Sequence, residues 1–221
     1  MAFSGFPAAA FDFYERLSAD NSRPFWQANK QVYEQAVKRP VEEFVEAIGE
    51  YGPLQMFRPY RDVRFAKDKT PYKDAAGAAG ESESGTWYYV QINAAGLLTG
   101  AGYYDMRSDQ LERFRSAIDA EATGNELVAL ARAAEQKGLT VGSISSLKTA
   151  PRGFARDHPR IELLRRKGLF VSKQWPVAKW MHTKQAVPKL IGVWQDAADL
   201  TGWLDAHVGP STLAPEEFQR V

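Results

Sequence analysis

The chain has 221 residues, 44% hydrophobic and 25% charged, which excludes low-complexity disorder as the main state and leaves room for one sizeable core. Its 28 basic and 27 acidic side chains exclude a global field drawing it onto nucleic acid or membrane, and the absence of cysteine excludes disulfides, zinc–thiolate sites and cysteine nucleophiles. No apolar run reaches the roughly 20 residues of a membrane span, and the start MAFSGFPAAA lacks a signal-peptide pattern, so a cytoplasmic location and no membrane partner are expected.

Pro7 to Ser18 reads as a helix, with Phe11, Tyr14 and Leu17 at helical spacing. Ser22-Arg23-Pro24 starts a second helix, which Pro40 should end or kink. Val41, Phe44, Val45 and Ile48 form the stripe of a third, stopped by Gly52-Pro53. Met56 to Phe65 alternates enough to be extended. Gly77 to Gly85 reads as a mobile loop, a lid over the adjacent arginines, and is not a Walker loop because no Gly-Lys-Ser/Thr follows. Trp87–Ile92 and Leu97–Tyr104, joined by Asn93 to Gly96, form an aromatic hairpin. Helices return over Ser108 to Ala120 and Asn125 to Lys137, and Leu139 to Lys148 is ambiguous. Asp157-His158-Pro159 opens a helix running to about Gly168, and Leu169 to Trp175 reads as a strand. A long last helix carries Val187, Leu190, Ile191, Trp194, Ala198 and Leu204.

Helices, then strands, then helices again point to α+β: an antiparallel-rich sheet with an aromatic hairpin, covered by helices from both halves of the chain. A single domain is expected over 1–209, followed by a loosely held tail over 210–221.

Charge is unevenly spread. Between Arg58 and Lys73 there are six bases against Asp62 and Asp68; between Lys148 and Lys173, eight bases against Asp157 and Glu162. Folded together, the two segments would make one positive cleft. If Arg58 to Phe65 is a strand, Arg58, Tyr60, Asp62 and Arg64 share one face, and Arg61 stands among Phe57, Pro59, Val63 and Phe65 on the core face. An arginine there requires a carboxylate, backbone carbonyls or a bound anion. Asp62, flanked by arginines, has its charged form favoured and suits orienting them better than acting as a base. Lys69 and the Tyr72 hydroxyl are further donors for an anion.

The run Arg58-Pro59-Tyr60-Arg61-Asp62-Val63-Arg64-Phe65, followed by Asp68-Lys69 and Tyr72, resembles the signature of a bacterial and fungal family known as domain of unknown function 2461. The aromatic hairpin and the stretch LKTAPRGFARDHP resemble it as well, and the likeness runs from about Phe6 to Val208. The resemblance implies one α+β domain and no assigned activity.

The second basic segment turns at Pro151-Arg152-Gly153, presenting Arg152 outward, and Asp157 is a candidate helix cap beside which Arg152 and Arg156 would stand. The bland reading is a solvated basic turn. His158, His182 and His207 have no metal-ligand spacing, and no metal or cofactor is expected. Ser145-Ser146-Leu147-Lys148 matches Ser-x-x-Lys without the motifs that accompany it in acyl-transfer enzymes. The aromatic strands place one face in the core and could leave the other as a platform able to stack a base or sugar.

Three readings follow. The first is a pocket for an anionic or phosphate-bearing small molecule, lined by Arg58, Arg61, Arg64, Lys69 and Tyr72, with Arg152 contributing and Asp62 and Asp68 orienting the donors. The second is a nucleic-acid-binding module using both basic segments. The third is a non-catalytic structural or partner-binding protein locked by a buried Arg/Asp network. No nucleophile stands out, the nearest candidate for a catalytic group is Asp68, and the sequence is silent on oligomeric state.

Overall fold

A computed structural model describes residues 2–64 and 68–214. The chain opens with helices: α1 (Ala8–Ala19), α2 (Arg23–Val32) and α3 (Arg39–Ala47). The Ser22 hydroxyl caps α2 by accepting from the Phe25 N–H at 3.2 Å. Pro40 does not break the run. Tyr33–Lys38 is wound as a π-helix, in which the Arg39 N–H bonds the Glu34 carbonyl five residues back. The wider turn leads into α3 with Pro40 in its first turn, where its missing N–H is tolerated.

Six strands form one antiparallel sheet: β1 (Gln55–Met56), β2 (Ala75–Glu81), β3 (Trp87–Asn93), β4 (Gly96–Tyr103), β5 (Thr140–Gly142) and β6 (Leu169–Trp175), in the order β1-β2-β3-β4-β6-β5. Between them lie α4 (Ser108–Asp119), α5 (Glu121–Gln136) and the single turn α6 (Ile161–Leu164), and the chain returns through α7 (Ala186–His207). The α+β expectation and the aromatic hairpin hold. The hairpin is tighter than expected, since Asn93 pairs with Gly96.

Three expectations are corrected. The segment read as a mobile lid is largely β2, paired along its full length with β3. Its Ala/Gly composition looks like a loop but answers to close packing. A Cβ on Gly77 would lie 2.9 Å from the Val90 carbonyl oxygen, and one on Gly80 would lie 2.3 Å from that of Pro53. Ser82 to Gly85 supplies the turn, with the Gly85 N–H bonding the Ser82 carbonyl. Conversely, Met56 to Arg64 is not a continuous strand. Pro59 has no N–H for a ladder, and after β1 the pairing is a lone bridge, Tyr60 to Tyr72. Phe65, expected on the core face, lies outside the described residues. The helix expected from Asp157 shrinks to α6, whose flanking residue is Arg160 and which has no side-chain cap.

Strand register separates two sheet faces. On the first, Ala76, Ala78, Val90, Ile92, Leu97, Thr99, Ala101, Leu169 and Val171 are buried. Trp194 of α7 packs there against Tyr51 and Tyr88 and donates its indole N–H to the Gly100 carbonyl at 3.2 Å. Burying each large apolar side chain contributes about 1.5–3 kcal/mol. The second face carries Ala75, Ala79, Trp87, Tyr89, Gln91, Leu98, Phe170, Ser172 and Gln174, none of them buried. Among the described residues, no helix packs on it.

The segment Pro210–Ala214, expected as the start of a tail, is tied to α4. Arg107 donates to the carbonyls of Leu213 and Ala214, Gln110 to that of Gly209, and Arg113 to those of Val208 and Pro210. Asp109 accepts from the Ser211 hydroxyl and from the N–H and hydroxyl of Thr212. Residues 215–221 lie outside the described residues. Among the described residues, no helix is long and apolar enough to cross a membrane.

Candidate functional site

The basic run 58–73 connects β1 to β2 at one sheet edge. It doubles back on itself: the Arg61 N–H bonds the Pro71 carbonyl at 2.9 Å, and the Lys73 N–H bonds that of Pro59 at 2.7 Å. Asn21 staples the fold-back, its side chain bonding both the carbonyl and the N–H of Tyr72. Tyr72 is buried, and its ring stacks on Trp26 with centroids 4.1 Å apart and planes within 7°. The Tyr72 side chain, expected to reach an anion, is therefore a packing element between helix and loop.

The cations divide into two groups. Arg61 is ion-paired with Asp68 and sits 3.2 Å from Asp74, its side chain 29% exposed, so the carboxylates demanded by its position are supplied from within the chain. Arg64 grips Asp62 through two parallel contacts of 3.1 and 2.7 Å. Lys69 donates to the Val63 carbonyl at 2.9 Å. Asp62 and Asp68 are thus each ion-paired with an arginine. The Arg64 side chain, then its backbone N–H, hold the Asp62 carboxyl down at about 2. The Thr70 backbone N–H and hydroxyl, with Arg61, hold Asp68 below the usual carboxylate range. Both are ionised and engaged near neutral pH, which disfavours a proton-accepting role for Asp68.

Arg58 and Lys73 form the second group. Among the described residues neither has an ion-pair partner. Lys73 belongs to the basic run but not to the expected site; nothing local in the sequence separates it from its paired neighbours. Its ammonium lies 5.0 Å from the centre of the Phe57 ring. Partial burial, then Arg58 and Arg61, depress its pKa below the ordinary lysine value. Phe57 is 40% exposed and lies over Gly77, and its ring centre is 6.2 Å from that of Tyr89 on the uncovered sheet face. The basic edge therefore continues directly into an aromatic surface.

Arg152 is elsewhere. It is exposed in the loop between β5 and β6, at the opposite sheet edge from β1. Five strand spacings, about 24 Å, separate the two edges. That loop is held by Arg160, which donates to the carbonyls of Ile118 and Asp119 and to the Asn125 side chain. The two basic segments therefore do not close on a common cleft. His158 accepts from the Arg160 N–H on Nδ1, so its proton sits on Nε2, 3.3 Å from Asp119. His182 bonds the Phe6 carbonyl and meets Phe11 edge-on. Among the described residues, no three His, Asp or Glu side chains are grouped to hold a metal ion.

The fold and this site define an α+β protein with one helix-covered sheet face, one open aromatic face and a basic edge. The chain belongs to the DUF2461 family: the family model described as "Conserved hypothetical protein (DUF2461)" matches residues 9–203, a description that names no activity. No curated protein and no solved structure matches the chain.

Proposed function

We propose that the protein binds an anionic, phosphate-bearing small molecule at the β1–β2 edge, with Arg58 and Lys73 as its principal donors. The observation that carries this reading is the division of the cations. Arg61, Arg64 and Lys69 are engaged within the chain, whereas neither Arg58 nor Lys73 forms an ion pair among the described residues, Arg58 acting on Asp62 only through its field. A partly desolvated ammonium without a counter-charge is costly, and an anion would relieve that cost. Arg61, anchored by Asp68 and Asp74, adds positive potential from behind, and Asp62 and Asp68 hold the loop in shape.

A nucleic-acid surface is the weaker reading. Two unpaired cations on a single strand imply a salt slope of only about −1.4 in log K, and the second basic segment stands at the far edge. Titration calorimetry with pyrophosphate tests the proposal. Binding weakened roughly tenfold or more by each of Arg58→Ala and Lys73→Ala, in protein with unchanged circular dichroism, is the expected result. Binding that survives both substitutions overturns it.

A further inference from the structure

We infer that the hydroxyls of Tyr14, Tyr33 and Tyr60, beside this edge, bind a polyhydroxylated group, so that the ligand is a sugar phosphate; the inference rests on the anion site proposed above. Trp26 of α2 stands in the middle of the cluster, its ring centre 4.7 Å from that of Tyr33 and 6.0 Å from that of Tyr60. Tyr14 of α1 is 2% exposed and Tyr33, where the π-turn begins, is 3% exposed. Such turns recur at functional sites. Neither phenol is hydrogen-bonded among the described residues, yet neither oxygen is sealed: the sealed and unpartnered side-chain polar atoms there are only the indole nitrogens of Trp26 and Trp203. The rings are enclosed while their hydroxyls open to solvent. Tyr60 is 49% exposed, and its hydroxyl is equally unengaged. The Trp26 N–H, buried among these rings without an acceptor, is a standing cost that a ligand oxygen drawn in beside it would relieve.

Enclosed rings offer no face for stacking, so recognition here falls to hydrogen bonds, and a phenol hydroxyl both donates and accepts. Burial, then Tyr33 and Asp74, push the Tyr14 phenol up; burial, then Glu34, Glu42 and Tyr60, push the Tyr33 phenol up. Both therefore stay protonated near neutral pH. The same influences put the Tyr14 hydroxyl within the field of Tyr33, and that of Tyr33 within the field of Tyr60, so the three hydroxyls are neighbours. The carboxylates around them disfavour a second anionic group, which leaves a neutral one. Asp74 joins this cluster to the anion site. It acts on Tyr14 and lies 3.2 Å from Arg61, and its chain neighbour Lys73 feels both Arg58 and Arg61. A neutral group rich in hydroxyls, carried on a phosphate, is a sugar phosphate.

Calorimetry on the full chain compares glucose 6-phosphate and ribose 5-phosphate with methyl phosphate and phosphoethanolamine, with pyrophosphate as the measure of the anion site. Phosphoethanolamine is included because the same carboxylates would attract an ammonium group. The better sugar phosphate is expected to bind at least about fivefold tighter than either comparison compound, the scale of one net hydrogen bond. The triple variant Tyr14→Phe, Tyr33→Phe, Tyr60→Phe keeps every ring and removes hydroxyls that nothing in the chain uses, so its circular dichroism should be unchanged. It should abolish the sugar advantage and leave pyrophosphate affinity as it was; Tyr60→Phe alone, at an exposed position, should lower the advantage in part. Lys73→Ala should weaken all five compounds. Pyrophosphate binding without a sugar advantage, a preference for phosphoethanolamine, or an advantage that survives the triple variant overturns the sugar site while leaving the anion site standing. Failure of every compound to bind, pyrophosphate included, overturns both.

Discussion

Lys73 holds its ammonium 5.0 Å from the centre of the Phe57 ring and faces no carboxylate among the described residues, whereas Arg61 in the same fold-back is paired with Asp68 and Asp74. That contrast decides which cations of the Arg58–Lys73 run can meet a ligand and which maintain the fold.

Lys73→Ala should weaken pyrophosphate binding roughly tenfold or more, the scale of a lost hydrogen bond to a charged group, with little change in Tm. Its pH dependence has a definite sign. The folded pKa is depressed below the ordinary 10.5, so the charged form is disfavoured in the fold. Its cost to stability is present below the folded pKa and disappears as pH rises toward 10.5. Anion affinity should accordingly begin to fall at a lower pH than an ordinary lysine would give. Lys73→Arg, measured by calorimetry across the same window, should flatten the profile.

Freeing Arg61 should strengthen anion binding. In Asp74→Asn the guanidinium loses one of its two carboxylates. Asp74 is 66% exposed, so the Tm should fall by about 4 °C at most. Calorimetry with pyrophosphate should show tighter binding; weaker binding would mean that Asp74 positions the site rather than masking it.

Tyr72 separates packing from recognition. Tyr72→Phe preserves the stack on Trp26 and should leave both stability and pyrophosphate affinity close to those of the parent. Tyr72→Ala empties a buried position and should cost about 3 kcal/mol or more in urea unfolding. Loss of anion binding in folded Tyr72→Phe would restore the hydroxyl to the site.

The strap over Gly209–Ala214 should open in acid. Burial pushes the Asp109 carboxyl up, but the Thr212 N–H, the Ser211 hydroxyl, the Gln110 N–H and Arg113 outweigh it and hold its pKa below the ordinary 3.8. The stabilisation is present above 3.8 and is lost as pH falls through the folded value. Asp109→Asn should raise hydrogen exchange in residues 209–214 roughly tenfold at neutral pH, as for losing one charge-assisted hydrogen bond. It should also abolish the acid-dependent part.

Much of the architecture is legible in local pattern. The Phe11–Tyr14–Leu17 stripe, the Ser22 cap and the alternating aromatics of the hairpin encode their elements through contacts only a few residues apart, and the Arg58–Tyr72 run carries the family resemblance. The α+β class follows from their order. What local pattern could not convey depends on neighbours remote in sequence. Ala75–Glu81 is a strand through its pairing with β3, and Val90, Pro53 and Phe57 approach Gly77 and Gly80 too closely for side chains there, a constraint invisible in an Ala/Gly run that otherwise reads as a loop. Composition likewise treats Arg58, Arg61 and Lys73 as equals; the fold-back through Asn21 and Pro71 brings Asp74 to Arg61 and leaves Lys73 over an aromatic ring. Strand order then sets the second basic segment at the opposite edge. Local propensity acts through short-range sterics and hydrogen bonds, whereas charge pairing and strand adjacency exist only once the chain has closed on itself.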